Sequence, residues 1–310
     1  MRLLIPKTPL CSMALALCLL LGALIAFPSP SAAETKDALH IAYVNWSSSV
    51  AASNLVRAVL QDRLGIPCRL VETTADSMWR MVASGEADAM LSAWLPDTHA
   101  AYAAANLDSV DDLGPNLEGA RVGLVVPRLT VGRPTTGTGI TNRPVVTATS
   151  IEDLARYGDE FGRRIVGIDP EAGVMRKARL AIEEYDLQGW RLIRGDEQAM
   201  IKELERAVRR REWIVVTGWK PHWMFARWKL DFLDDPKNVF GGYENIHTVA
   251  RKGLQEDMPE AYAFLNRFHW TADDMEQLML WNEESGRPYA YENAQRWMRA
   301  HPDKVASWLD

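Results

Sequence analysis

What most restricts the fold of this 310-residue chain is a twice-repeated alternation of short apolar runs with amphipathic helical stretches. Residues 38–44 read as a strand, 48–64 as a helix, 68–72 as a strand, 76–84 as a helix and 87–94 as a third strand. A βαβαβ order implies parallel strands joined by right-handed crossovers. Residues 121–126 add another strand. The stretch 127–149 is rich in Gly, Pro and Thr, has no apolar period, and reads as a loop or linker. A second βαβαβ follows, with strands at 164–168, 190–193 and 213–217 and helices at 173–185 and 197–210. A short strand at 246–250 and three helices (about 258–268, 271–284 and 288–309) close the chain. The expected architecture is α/β in two lobes, each a mainly parallel sheet flanked by helices. Residues 38–127 with about 246–310 form lobe 1, 128–149 the linker and 150–245 lobe 2, with a cleft between the lobes.

The first 33 residues differ from the rest. Arg2 and Lys7 precede an apolar run over 13–27, then Pro28, Pro30 and Ser31-Ala32-Ala33, which is the layout of a secretory signal peptide. An uncleaved membrane anchor is the competing reading. The small residues Ser31 and Ala33 favour cleavage, and Cys18, followed by Leu19, lacks the pattern of a lipoprotein site. An exported, periplasmic protein is therefore expected. Removal of Arg2 and Lys7 takes the net charge from -6 to -8. An acidic chain is a poor partner for nucleic acid, whose recognition needs a basic surface to displace counterions. Cys11 and Cys18 leave with the signal, and Cys68 then has no partner for a disulfide.

Tryptophan is in excess, at 12 against 7 Phe. In sheets of this kind ligands bind beyond the carboxyl ends of the strands, and three of the tryptophans stand there. Trp46 follows the first strand, Trp94 ends the third, and Trp219 follows the last strand of the second unit. After the strand at 164–168, Gly173 and Val174 open a helix, where free backbone N–H groups at the positive end of the dipole suit an anion. His99, five residues past Trp94, adds a side-chain donor. Trp79, Trp190, Trp213, Trp228, Trp270, Trp281, Trp297 and Trp308 lie within elements and are assigned to packing, as are Trp223 and His222 beside Trp219.

A quaternary ammonium cannot donate a hydrogen bond, so a protein holds it through aromatic faces. Three desolvated indoles at about 2 kcal/mol each supply about 6 kcal/mol, and charge-assisted bonds to a carboxylate add about 1.5 to 3 kcal/mol apiece. Micromolar affinity needs only about -8.2 kcal/mol. Catalytic motifs are missing from the sequence: it has no H-E-x-x-H, paired Cys motif or G-x-S-x-G elbow. The segment 132–138 imitates a phosphate loop until Thr138 stands where Lys is required. An enzyme acting on a methylated amine through Asp97 and His99 is the rival reading.

Five blocks carry a resemblance: Ile41-Ala42-Tyr43-Val44-Asn45-Trp46, Leu91 through His99, Gly123 through Pro127, Val166 through Pro170 with Ala172 through Met175, and Gly218 through Phe225. In order and spacing the chain, from about 38 to 310, resembles the substrate-binding proteins of glycine betaine ABC importers. The resemblance implies a two-lobe, type II-like periplasmic binding protein fold with the ligand in the interlobe cleft. It implies delivery of a betaine to a membrane permease served by a cytoplasmic ATPase, by a monomer without cofactor, metal or catalytic residue. Carried over, the family's aromatic cage falls on Trp46, Trp94 and Trp219, and its carboxylate contacts on His99 and the N–H groups of Gly173 and Val174. Trp46, Trp94 and His99 would belong to lobe 1 and the rest to lobe 2. Three departures bear on ligand identity: Glu171 stands where many relatives have Gly, Ser47 where an acid is common, and the 128–149 loop is longer than usual. Choline, carnitine, proline betaine and sulfonium osmolytes fit similar walls, and a ligand-sensing module for the same compounds is the alternative to transport.

Overall fold

In the computed structural model, which describes residues 38–128, 130–131 and 143–310, the alternation forms as β1 (Leu39–Val44), α1 (Ser47–Arg63), β2 (Cys68–Thr73), α2 (Ala75–Ser84) and β3 (Ala89–Leu95). Then come α3 (Ala100–Asn106), β4 (Val110–Pro127), β5 (Thr130–Val131), β6 (Arg143–Pro144) and α4 (Asp153–Arg156). The second unit is β7 (Arg164–Val166), α5 (Gly173–Glu184), β8 (Arg191–Ile193), α6 (Glu197–Arg210) and β9 (Val215–Lys220), followed by α7 (Met224–Arg227) and β10 (Leu230–Phe232). The chain closes with β11 (Glu244–Arg251), α8 (Leu254–Asp257), α9 (Pro259–Arg267), α10 (Ala272–Ser285), α11 (Ala290–Ala300) and α12 (Pro302–Leu309). Lys36–Asp310 is one compact unit. The expected signal peptide at 1–33 and the loop segment 132–138 lie outside the described residues.

One sheet carries both units, in the order β2-β1-β3-β11-β4-β9-β7-β8 with β10 also on β4. Its flanks are parallel, β1 pairing with β2 and β3, and β7 with β8 and β9. The seam between them is antiparallel, where β11 pairs with β3 and β4, and β4 with β9 and β10. Strand β4 is the link. Val110–Ala120 runs beside β11, in the first half of the sheet, and Arg121–Val125 beside β9, in the second. The chain returns through 233–243, between β10 and β11.

The sequence pattern predicts a strand only from 121, and the structure begins it at Val110. The missed part is polar and interrupted. Gly119 has φ +77, a left-handed conformation open to glycine at little cost, and the pairing register with β11 shifts nearby, at Glu244/Ile246. A bulged strand loses the two-residue alternation by which strands are recognised. The single helix expected over 288–309 is two, α11 and α12. His301 breaks it at φ -129 and ψ 55, because a residue before proline is driven out of the helical region, and Pro302 opens the next helix.

Helix α1 is buried along most of its length and packs against β1, β3, α10 and α11. Beyond it, Phe268, Trp270, Trp297 and Trp308 are all buried, and the last two stack at 6.0 Å with rings 2° apart. Trp190 and Trp213 pack on Phe161 in the second half. Burial pushes the Cys68 thiol up to about 12, so it stays protonated and unreactive. Among the described residues no helix is long and apolar enough to cross a membrane, and no group of three His, Cys, Asp or Glu is placed to hold a metal ion.

Candidate functional site

A pocket with about 300 Å³ of empty space, its mouth included, opens between the two halves of the sheet. Trp46, Trp94, Thr98, His99, Val122, Ile168, Ala172, Gly173, Val174 and Trp219 line it. The structure thus brings together all six residues singled out from sequence, and the lining is apolar apart from His99, Thr98 and backbone groups.

Each half supplies part of the wall. Trp46 is the N-cap of α1, in extended conformation, and its indole N–H donates to Asp169 Oδ2 at 3.0 Å across the pocket. Trp94 and Trp219 lie inside β3 and β9 near their carboxyl ends. The sequence pattern predicts a strand ending at 217, with Trp219 just past it. The strand instead runs on to Lys220, held by β4 through the register Val122↔Trp219.

His99 is 1% exposed. Its Nδ1 accepts the indole N–H of Trp79 and the backbone N–H of Trp94, both at 3.3 Å. The ring proton therefore sits on Nε2. That nitrogen is buried and has no partner among the described residues, on a ring that lines the pocket. Burial, and then the Arg176 guanidinium, pull the His99 pKa down to about 3. The imidazole is neutral at any physiological pH and offers one N–H. Sequence position alone predicts a packing role for Trp79. Its role in orienting His99 had no sequence signal, because the two residues meet only through the α2–β3 fold.

Helix α5 starts at Gly173 after Ala172 in extended ψ. Its internal ladder begins with Met175 N–H and Arg176 N–H donating to the Ala172 carbonyl, so the N–H groups of Gly173 and Val174 precede the ladder. A side chain at Gly173 would meet the Thr98 carbonyl oxygen at 2.3 Å, and glycine is what permits this contact between halves. The Thr98 loop is itself anchored. Its N–H donates to Glu244 Oε2 at 2.9 Å and its hydroxyl to Oε1, while Arg176 Nη2 donates to the Thr98 carbonyl at 3.0 Å. Tyr102 reaches the carbonyl of Glu171 at 2.6 Å.

Two expected difficulties resolve. The Glu171 side chain is exposed and outside the lining, so its charge does not face the N–H groups of α5. Asp97 is not paired with His99. Its carboxylate lies against Gly241, where a side chain would meet Oδ2 at 2.4 Å, and the His99 Nδ1 is already taken by two N–H groups. An acid–base pair built on Asp97 and His99 is therefore not formed.

A family model for the substrate binding domain of ABC-type glycine betaine transport systems matches residues 37–300. Over 155 residues the chain is 47% identical to the glycine betaine/carnitine transport binding protein GbuC of Listeria monocytogenes, covering 49% of this chain and 51% of that protein. The match thus spans about half the length of that relative. Lactococcal OpuAC, solved in its closed-liganded conformation complexed with glycine betaine, is similar with a TM-score of 0.79 at 37% identity, over 88% of this chain and 100% of that one. The glycine/betaine/L-proline-binding protein ProX from Borrelia burgdorferi is similar with a TM-score of 0.80 at 32% identity, over 88% and 97%.

Proposed function

This chain belongs to the family of substrate-binding domains of ABC-type glycine betaine transport systems, and on that premise we propose that it captures glycine betaine, or a related quaternary ammonium compound, outside the cytoplasm for delivery to an ABC permease and its ATPase. The family is one of transport binding proteins, not of enzymes. One observation carries the ligand reading: one pocket joins three tryptophans to the His99 Nε2–H, which has no partner among the described residues, and to the N-terminal backbone N–H groups of α5. The trimethylammonium group lies among Trp46, Trp94 and Trp219, where desolvated indoles attract it through their quadrupoles. The carboxylate takes His99 Nε2–H and the backbone N–H groups of Gly173 and Val174, at the positive end of the α5 dipole. The ligand in the lactococcal structure and the name of the Listeria relative support the same class.

The two halves of the sheet act as lobes, linked by β4 and by residues 233–243, and close over the ligand as a hinge. Contributions to the pocket from both halves, and the tight approach of Gly173 to Thr98, support closure. Residues 1–33 serve as the export signal to the periplasm. The protein acts on the ligand only by binding, so calorimetry tests it directly. Glycine betaine should bind with micromolar or better affinity and be recovered unchanged. Absence of heat with glycine betaine, choline, carnitine and proline betaine alike would remove the cage reading, and turnover of any of them would contradict a binding role.

A further inference from the structure

Behind the pocket, a second buried polar cluster joins the two halves. Glu197, the first residue of α6, is 2% exposed. Its Oε2 accepts the backbone N–H of Ser47 at 2.8 Å and its Oε1 accepts the Ser47 hydroxyl. Oε1 also lies 3.1 Å from His222 Nε2. His222 Nδ1 accepts the Met224 N–H at 3.0 Å, which puts the imidazole proton on Nε2, donating to Glu197. Trp223 Nε1 donates to the Ser47 hydroxyl oxygen at 3.2 Å. Ser47 is on α1 in the first half, whereas Glu197, His222 and Trp223 are in the second.

The chemistry of α1 explains why this carboxylate matters. The helix has no side-chain cap and no acidic residue in its first turn, so its N-terminal N–H groups and its dipole lack a local anion. Glu197 supplies one from across the cleft. Burial pushes the Glu197 pKa up, but His222 and the bonds from His222 and Ser47 outweigh it and hold the group below the usual glutamate range. The charge therefore persists in the interior. Both ends of the cluster touch the cage: Ser47 follows Trp46 directly, and the His222 ring stands edge-on to Trp219 at 4.8 Å and 85°. The ion pairs nearby, from Arg227 to Glu205 at 3.6 Å and to Glu283 at 3.8 Å, are partly exposed and worth little.

We propose that Glu197 is a positioning residue of the cage: by capping α1 across the cleft it acts with Asp169, which holds the Trp46 indole, to set Trp46 relative to Trp219 and to hold the closed form. The bond to Ser47 forms only when the halves meet, so it governs release of the ligand more than its entry. This inference rests on the reading that Trp46 and Trp219 face one bound cation.

Stopped-flow Trp fluorescence with glycine betaine tests it on the full mature protein, with wild type, Glu197→Gln, Ser47→Asp and the double variant. Glu197→Gln should speed dissociation about tenfold, about 1.4 kcal/mol, with association changed less than about twofold. Ser47→Asp places an acid in the first turn of α1, which favours the isolated helix but sets two carboxylates against each other in the closed form. Its ligand-free unfolding temperature should equal or exceed that of wild type, while dissociation rises at least about tenfold. In the double variant the new carboxylate meets an amide and His222, and dissociation should be slower than in Ser47→Asp. Wild-type release rates in both single variants would overturn the latch and leave the cage intact. Failure of wild type to bind any of the four quaternary compounds would remove both. Should Glu197→Gln fail to fold, Ser47→Asp decides alone, and release no faster than wild type overturns the proposal.

Discussion

Each half of the sheet carries a similar corner, a Trp-x-Pro with a histidine beyond it, five residues after the tryptophan in the first half and three in the second. In the first half it is Trp94-Leu95-Pro96 with His99, and in the second Trp219-Lys220-Pro221 with His222. Both tryptophans line the pocket, both histidines are buried, and both rings accept a backbone N–H at Nδ1. They differ at Nε2. In His99 that nitrogen has no partner among the described residues, whereas in His222 it is committed to Glu197. One corner is left with a donor to offer a ligand, and the other is tied into the protein. The difference lies in the tertiary neighbour that each Nε2 meets, Glu197 for His222 and none among the described residues for His99.

The comparison is broken most severely at Gly173, which packs on Thr98 of the first corner. Gly173→Ala would force a side chain to within 2.3 Å of the Thr98 carbonyl oxygen, an overpacking cost of about 3 kcal/mol. We expect glycine betaine affinity to fall about a hundredfold, with the ligand-free unfolding temperature little changed, because the clash exists only when the halves meet. Calorimetry alongside thermal unfolding checks this; an unaltered affinity would mean that closure does not bring these atoms together.

Removing one wall comes next. Trp94→Ala should weaken binding at least tenfold, since a desolvated cage face is worth about 2 kcal/mol. An unchanged dissociation constant by calorimetry would take Trp94 out of the cage.

His99→Phe sharpens the contrast between the two histidines. Loss of one hydrogen bond to a carboxylate should cost about 1.5 to 3 kcal/mol with glycine betaine, while choline, which has no carboxylate, should lose less than about threefold. Equal losses for both ligands would place His99 away from the carboxylate. Protonation gives a second readout. The folded pKa of His99 is lowered to about 3 from 6.5, so the unfolded chain binds the extra proton first. This contribution to stability is complete above about pH 6.5 and is lost as pH falls from there towards 3. The slope of unfolding temperature over pH 6.5 to 4 should be shallower in His99→Phe than in wild type, and an identical slope would refute that linkage.

The smallest effect is expected at Asp97. Its carboxylate faces Gly241 and not the pocket, so Asp97→Asn should leave glycine betaine affinity within about twofold. A tenfold loss would bring Asp97 back into the site.

Much of the architecture was legible because it rests on local periodicity. The elements of both βαβαβ units appear within a few residues of their expected bounds, α6 at Glu197–Arg210 among them. What escaped was the link between the units. The first part of β4 carries Gly114, Pro115 and Gly119 and shifts register against β11, so its alternation is lost although its pairing is not. The pocket residues were legible for a different reason: the carboxyl ends of strands in an α/β sheet converge, and unusual residues there stand out. Their supports were not. Asp169 on the Trp46 indole, Trp79 on His99, and Glu244 on Thr98 are joined by bonds between elements remote in sequence.

By itself, then, the sequence determined the α/β order, the three strand-end tryptophans and the helix start at Gly173, all properties of short stretches. Only the tertiary structure decided which histidine keeps a free N–H, where the Glu171 charge points, and that Ser47 finds its acid on the opposite half of the sheet. Those outcomes depend on the partner a buried polar atom meets. A hydrogen bond is made or lost over a few tenths of an ångström, a distance that periodicity and composition do not encode.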